Sequence, residues 1–381
     1  MLTLRAMAPL AVDSRLPDRA PGSSRLAELL RADQAESYPQ ALEKRRFEFP
    51  ADHGPHPAYR NEWWYVTGNL DSDSGRRFGF ELTIFRFALS AEPAAAGEST
   101  SAWRSNQVFI GHLALTDEAN ERFHVAQRFS RGSLGLAGAT TQPFRVWIDD
   151  WTLTETSSNA EYRHGPPWRL RASDGDFALS LRLTPLKAPV LNGVDGLSQK
   201  AAEPGNASYY YSVTRLKTDG TIYADGEEHR VNGLSWLDRE WGSNALSPEQ
   251  SGWDWFALQL ADGTDLMFYN LRRIDGSQDR HSAGTLTLAD GSSIYLAHDD
   301  LSIEVLDTWD SPHGGRYPSA WRLGVPQQQM QLRIEPILPA QELITTVRYW
   351  EGAVDVTGTR GEEPIVGRGY VELTGYADRP D

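Results

Sequence analysis

The sequence predicts an all-β protein of two antiparallel barrels or sandwiches packed together, and three observations carry that prediction. After Phe47, apolar residues recur with period two in short β-branched and aromatic runs, punctuated by the Gly, Asp-Gly and Asn-Gly steps that tight hairpins need. No amphipathic helices separate these runs, so a parallel α/β sheet is not expected. Finally, an unusual pairing of acid with indole occurs twice, in Asn61-Glu62-Trp63-Trp64-Tyr65 and in Trp236-Leu237-Asp238-Arg239-Glu240-Trp241-Gly242, each at the start of a strand-rich half. An indole buries roughly 150–250 Å² and its N–H then needs a partner. Thirteen Trp therefore imply large apolar surfaces with a few placed polar groups.

In chain order, Leu26, Leu29, Leu30, Ala35 and Leu42 come at loosely helical spacing over 24–42, which reads as a short helical N-terminal arm, 1–45. Strands are expected at 63–70, 77–89, 107–116, 122–129, 144–154, 168–172, 177–184, 208–217 and 221–224, and again at 253–260, 264–273, 284–288, 293–296, 301–308, 319–325, 329–335, 343–349, 353–357 and 366–374. Irregular loops are expected at 90–101 and 184–205. An aromatic strand, an Asp/Gly turn and a second strand ending near Arg recur at 63–86 and 254–272, a weak internal repeat. It divides the chain into an N-terminal barrel domain, 46–230, and a C-terminal barrel domain, 231–381.

Net charge of −15 and a pI near 5.1 oppose a phosphate backbone, and Lys44-Arg45-Arg46 is too short to offset them, so nucleic acid is excluded as a partner. No apolar run reaches the roughly 18–20 residues of a spanning helix. The absence of Cys excludes disulfides, thiol catalysis and Cys-ligated zinc without fixing a compartment. The first residues, 1–13, lack the continuous apolar core of a signal peptide, so a cytoplasmic location is open.

Chemistry can be sought in a few places. If 236–241 is extended, Asp238 and Glu240 lie on one side and Arg239 and Trp241 on the other. A carboxyl held against indole in a dry pocket keeps its proton to higher pH, which makes it a proton donor near neutrality. The cluster is therefore either an acid/base site, with Asp238 and Glu240 as the acid/base pair and Arg239 and Arg86 orienting them, or an ion-pair network joining the two halves. Glu62 shares a face with Trp64 and Val66, and Arg86 sits among Phe78, Phe80, Leu82 and Ile84, so an Arg86–Glu62 pair is expected, because an unpaired charge there would be costly. His112 interrupts the apolar run 110–115 as either an acid/base or a hydrogen-bonded core residue, while His53 and His56 read as part of a rigid turn. No His spacing suits a metal, and neither a nucleophile elbow nor a nucleotide loop occurs, so no metal and no cofactor are expected. Tyr209-Tyr210-Tyr211 and Trp253-Asp254-Trp255 are candidate pocket walls or core.

Two blocks carry a family resemblance. Phe49-Pro50-Ala51-Asp52-His53-Gly54-Pro55-His56-Pro57 with Glu62-Trp63-Trp64-Tyr65, and 236–242 followed by Gly252-Trp253-Asp254-Trp255-Phe256, resemble the AttH/CrtC-like lipocalin-related proteins over 47–376. The resemblance implies two tandem lipocalin-like barrels. It also implies an apolar lipid-, isoprenoid- or polyketide-like ligand, since the relatives include carotenoid 1,2-hydratases, fungal Diels–Alderases and secreted bacterial proteins. By this resemblance Glu62, Trp64, Tyr65, Arg86, Tyr210, Trp241, Asp254, Trp255, Phe268 and Asn270 are ligand-binding candidates. The hydratases carry His-Asp-His-Asn-Trp-Gly where this chain has Leu237-Asp238-Arg239-Glu240-Trp241-Gly242, and Tyr-x-Asp where it has Phe268-Tyr269-Asn270. With the histidines and the downstream acid replaced, carotenoid hydration is not carried over. The closer branch is the secreted one, which implies a periplasmic or secreted protein and a membrane export complex as partner. Two functions follow: acid–base conversion of the bound molecule (hydration, isomerisation or cyclisation), or lipid carriage without turnover.

Overall fold

A computed structural model describes residues 37–91, 105–156, 162–244 and 246–377, which form two antiparallel sheets, one a nearly closed barrel and the other a half-barrel. The first sheet comprises β1 (Asn61–Ser72), β2 (Arg77–Ala88), β3 (Gln107–Asp117), β4 (Arg122–Ser130), β5 (Ala137–Thr141), β6 (Phe144–Ile148), β7 (Trp151–Glu155), β8 (Trp168–Asp174) and β9 (Phe177–Pro185), the short β10 (Val190–Leu191) and β11 (Leu197–Gln199), and the long β12 (Ala207–Ala224) and β13 (Glu227–Gly242). The second comprises β14 (Gln250–Leu260), β15 (Asp265–Arg273), β16 (Ala283–Thr287), β17 (Ser293–Leu296), β18 (Ser302–Asp310), β19 (Arg316–Val325), β20 (Met330–Pro336), β21 (Glu342–Ile344), β22 (Arg348–Arg360) and β23 (Glu363–Leu373).

The two sheets repeat one topology. β1 pairs with its hairpin partner β2 and with the last strand of its sheet, β13, just as β14 pairs with β15 and with β23. Bonding a first strand to a last one curls each sheet upon itself and leaves β4 and β5 as the ends of one and β17 and β18 as the ends of the other. The interiors are filled. Trp64, Val66, Phe80, Leu82, Ile84, Trp151, Tyr211 and Trp241 belong to the first core, and Phe256, Leu258, Phe268, Trp321, Trp350 and Val371 to the second.

The outer faces of β1–β3, of the first half of β12 and of the second half of β13 are covered by those of β14, β15, β22 and β23, so the facing segments are buried on both sides. At Gly79 on β2 a Cβ would lie 2.5 Å from that of Ala353 on β22, so a side chain there would force the barrels apart. Polar links cross the seam: the Asn69 amide donates to the Gly369 carbonyl at 2.9 Å, and Lys187 and Arg215 both pair with the buried Asp265 of β15.

Four sequence expectations shift. The division at 230/231 falls inside β13, which pairs with β1 through its whole second half; the sheets part instead between Gly242 and Gln250. The strand 144–154 is a hairpin, because Asp149 takes a left-handed φ of 53°. Strands 208–217 and 221–224 are one, continuous through Gly220 at φ 157°, where a Cβ would strike the Ser180 carbonyl at 2.2 Å. The run 343–349 is divided between β21 and β22 by a turn. Most of the helical arm lies outside the described residues, and its described end, 37–45, contains no α-helix. Among the described residues no helix is long and apolar enough to cross a membrane.

Candidate functional site

Between the barrels, the outward-facing side chains leave a cleft of about 710 Å³ of empty space, solvent at its mouth included. Its walls are Trp63 and Tyr65 of β1, Phe85 of β2, Tyr210 of β12, and Trp253, Trp255, Tyr269 and Leu271 of β14 and β15. The Tyr65 and Trp255 rings meet edge to face at 5.0 Å. Three carboxyls, Asp238, Glu240 and Glu372, and one amine, Lys200, also line it. Such a space, mostly aromatic with a few convergent polar groups, has the composition of a small-molecule site.

Asp238 and Glu240 reach the cleft together because they alternate with Arg239 and Trp241 on β13, as period two requires. Asp238 is 3% exposed and accepts three hydrogen bonds, from the Tyr210 and Ser212 hydroxyls and from the Trp236 indole N–H at 2.6 Å. Burial pushes its pKa up to about 7; the three donors oppose the rise and the charge of Glu240 adds to it. Tyr210 is itself oriented by the Trp255 indole N–H, donated to its hydroxyl at 3.0 Å. Glu240 accepts from the Ser208 hydroxyl and lies 3.4 Å from Lys200 Nζ, which sits 3.8 Å from the centre of the Tyr269 ring.

The other face of β13 points into the first barrel and does different work. There Glu62 bridges Arg86, its direct partner across β1 and β2, and Arg239. The Arg86–Glu62 pair is thus the one the alternation predicts. Burial works against the Glu62 charge, but Arg239, His56 and Arg86 outweigh it and hold the carboxyl well below the usual range. Arg239 stacks 3.9 Å from the Trp64 ring and donates to the Gly54 carbonyl at 2.6 Å, while His56 lies flat on Trp241 at 3.7 Å. The segment 52–56 therefore closes one end of the barrel, and its rigid turn is real. Glu62, Arg86, Arg239, Trp64 and Trp241 consequently lie in the barrel interior and do not line the cleft. Arg239 and Arg86 do not orient Asp238 and Glu240.

The second barrel shows the same division. Asp254 faces inward, paired with Arg272 and bonded by Asn270 Nδ2 and the Tyr376 hydroxyl, each at 3.0 Å; Phe268 is core. Asp254, Phe268 and Asn270 are thus interior, and the cleft-facing members of β15 are Tyr269 and Leu271. Of the expected wall residues, Tyr65, Tyr210 and Trp255 do line the cleft. His112 faces the seam but not the cleft. Gln127 Nε2 donates to its Nε2 at 2.8 Å, which leaves Nδ1 to donate to the Tyr349 hydroxyl at 2.7 Å, and burial pulls its pKa down to about 3. It is the hydrogen-bonded core histidine of the two readings.

Sequence reading missed Trp63, Phe85, Lys200, Tyr269 and Glu372. It also missed two wholly buried acids of the seam, Glu81 and Glu351, which burial first of all pushes well above the usual carboxyl range. The available signal was an acid in mid-strand between apolar neighbours: Phe80-Glu81-Leu82, Trp350-Glu351-Gly352 and Val371-Glu372-Leu373. Glu351 and Glu372 are direct cross-strand partners on β22 and β23.

The AttH-like family model matches residues 40–376. The chain belongs to the AttH-like family. An AttH candidate of Nitrosomonas europaea is 35% identical, with a TM-score of 0.76 over 87% of this chain and 98% of that one. Kievitone hydratase of Nectria haematococca is similar in fold at 15% identity, TM-score 0.65, over 89% of this chain and 98% of that one. CghA, solved with Sch210972, is 13% identical with a TM-score of 0.54 over 92% of this chain and 98% of its own. No curated protein matches the chain.

Proposed function

We propose that this AttH-like protein binds an apolar small molecule in the inter-barrel cleft and that Asp238 exchanges a proton with it, in a hydration, isomerisation or cyclisation. The observation that carries this reading is the setting of Asp238: a carboxyl with a pKa of about 7, in contact with an aromatic cleft. A general acid works best when its pKa lies near the operating pH. Once the proton has left, the Tyr210, Ser212 and Trp236 donors are already aimed at the carboxylate that remains. Positive charge developing on the bound molecule would face the rings of Trp63, Trp253 and Trp255, which stabilise cations. Glu240, neutralised by Lys200, holds that amine in place beside Tyr269. Kievitone hydratase is named for a hydration, so the fold is compatible with such chemistry.

The test uses β-ionone, an apolar unsaturated ketone, in D₂O. Wild type should bind it, quenching indole fluorescence, and speed deuterium entry into its exchangeable carbon positions, read by NMR. Asp238→Asn should bind equally well and lose that acceleration by about 10²-fold or more. Binding without exchange in the wild type would reduce the protein to a carrier.

A further inference from the structure

We infer that Glu372, on the second barrel, is the proton-carrying partner of Asp238, so that the reacting pair straddles the seam between the barrels. This rests on the acid–base reading above. Glu372 lines the same cleft from β23, lying opposite Trp255 on one neighbouring strand and Glu351 on the other. Its Oε1 accepts the Trp253 indole N–H at 3.0 Å, and its Oε2 has no protein hydrogen bond among the described residues. Glu240, the acid that sequence spacing pairs with Asp238, is already committed to Ser208 and Lys200.

The groups around Glu372 explain its protonation. Burial raises its pKa to about 8; the Trp253 bond opposes this, and the charges of Asp238 and Glu240 on β13 add to it. Lys200, beside Glu240, is the one cation of the cleft wall. Glu351 on its own sheet, and Glu81 of β2 which interacts with Glu351, are pushed by burial well above the usual carboxyl range. Near neutrality a proton shared by the pair rests mostly on Glu372, the weaker acid; the reacting form is the minor one in which Asp238, the stronger acid, is protonated and Glu372, the stronger base, is ionised. Asp238 as acid adds its proton to one carbon of a double bond, and Glu372 as carboxylate removes a proton from the carbon next to the cationic centre. The double bond moves by one position, Asp238 is left ionised and Glu372 protonated, and exchange with water restores both. In a hydration, Glu372 takes the proton from water as its oxygen bonds to carbon.

Infrared titration of the carboxylic-acid band, together with β-ionone exchange in D₂O, tests the pairing. Wild type should show an acid titrating near pH 8 that disappears in Glu372→Gln. In Asp238→Asn that midpoint should fall by at least about half a unit, because interacting sites titrate together. Glu372→Gln should cut deuterium exchange by about 10²-fold. A Glu372→Gln variant that folds, loses the acid band and exchanges at the wild-type rate would overturn the pairing while leaving Asp238 as the acid. Absence of exchange in the wild type would instead count against the acid–base reading itself.

Discussion

Asp238→Asn is the perturbation whose size the structure sets most directly. Wild-type Asp238 moves from the ordinary carboxyl value of 3.8 to about 7 on folding, so the native state binds a proton that the unfolded chain has already released. Stability from this group is therefore fully present below about pH 4 and is lost as pH rises through about 7. The whole shift is roughly three units, or about 4 kcal/mol at about 1.4 kcal/mol per unit. Between about pH 5 and pH 8 only the native group is still titrating, so about two of those units, near 3 kcal/mol, are lost in that window. Glu372, also raised, adds loss of the same sign. Asparagine keeps the shape and an oxygen to accept from Trp236 and Ser212 but cannot ionise. The stability difference between variant and wild type, from urea unfolding at a series of pH values, should thus swing in favour of the variant by about 3 kcal/mol from about pH 5 to pH 8. Hydrogen bonds that do not change with pH cancel in that swing. A difference flat to within about 1 kcal/mol would refute the raised pKa and the acid assignment with it.

Other perturbations separate the charged interior from the protonated seam. Glu62→Gln leaves Arg86 and Arg239 without their shared carboxylate, and a broken buried pair should cost about 3–5 kcal/mol in denaturant unfolding at neutral pH. Glu351→Gln replaces a carboxyl that burial pushes well above its usual range, so its unfolding free energy at the same pH should stay within about 1 kcal/mol of wild type. His112 should show one neutral tautomer, with no titration between about pH 5 and 8 in ¹⁵N NMR, because its pKa is held down by burial. Trp255→Ala removes a cleft wall and the donor that orients Tyr210, so it should weaken binding of β-ionone by at least about tenfold, read by fluorescence titration.

The parts of the site legible in the sequence are those that period two decides. Alternation puts Asp238 with Glu240 and away from Arg239 and Trp241, and puts Glu62 within reach of Arg86; the register Glu62↔Arg86 and Tyr65↔Asp238 bears this out. What alternation cannot decide is which of two buried faces borders empty space. Trp63 and Trp64 are equally aromatic, yet Trp64 fills the first barrel and Trp63 lines the cleft. The resemblance to hydratases chose Phe268 and Asn270, one residue away in parity from the cleft-facing Tyr269. The boundary at 231 failed for a related reason: the acid–indole block reads as the opening of a second unit, whereas hydrogen bonding makes it the closing strand of the first.

That closing strand explains why stability and chemistry can sit on adjacent residues. Each barrel holds a buried acid–arginine pair on its inner face, Glu62 with Arg86 and Asp254 with Arg272, at corresponding hairpins. Both pairs are made within their own barrels and use no group of the cleft. The outer faces of the same strands are free of that duty, so Asp238 and Glu372 can be desolvated against aromatic rings while their neighbours Arg239 and Leu373 keep the cores intact. A carboxyl held near neutrality in this way costs stability, and the filled, ion-paired interiors on either side are what allow the seam to carry that cost.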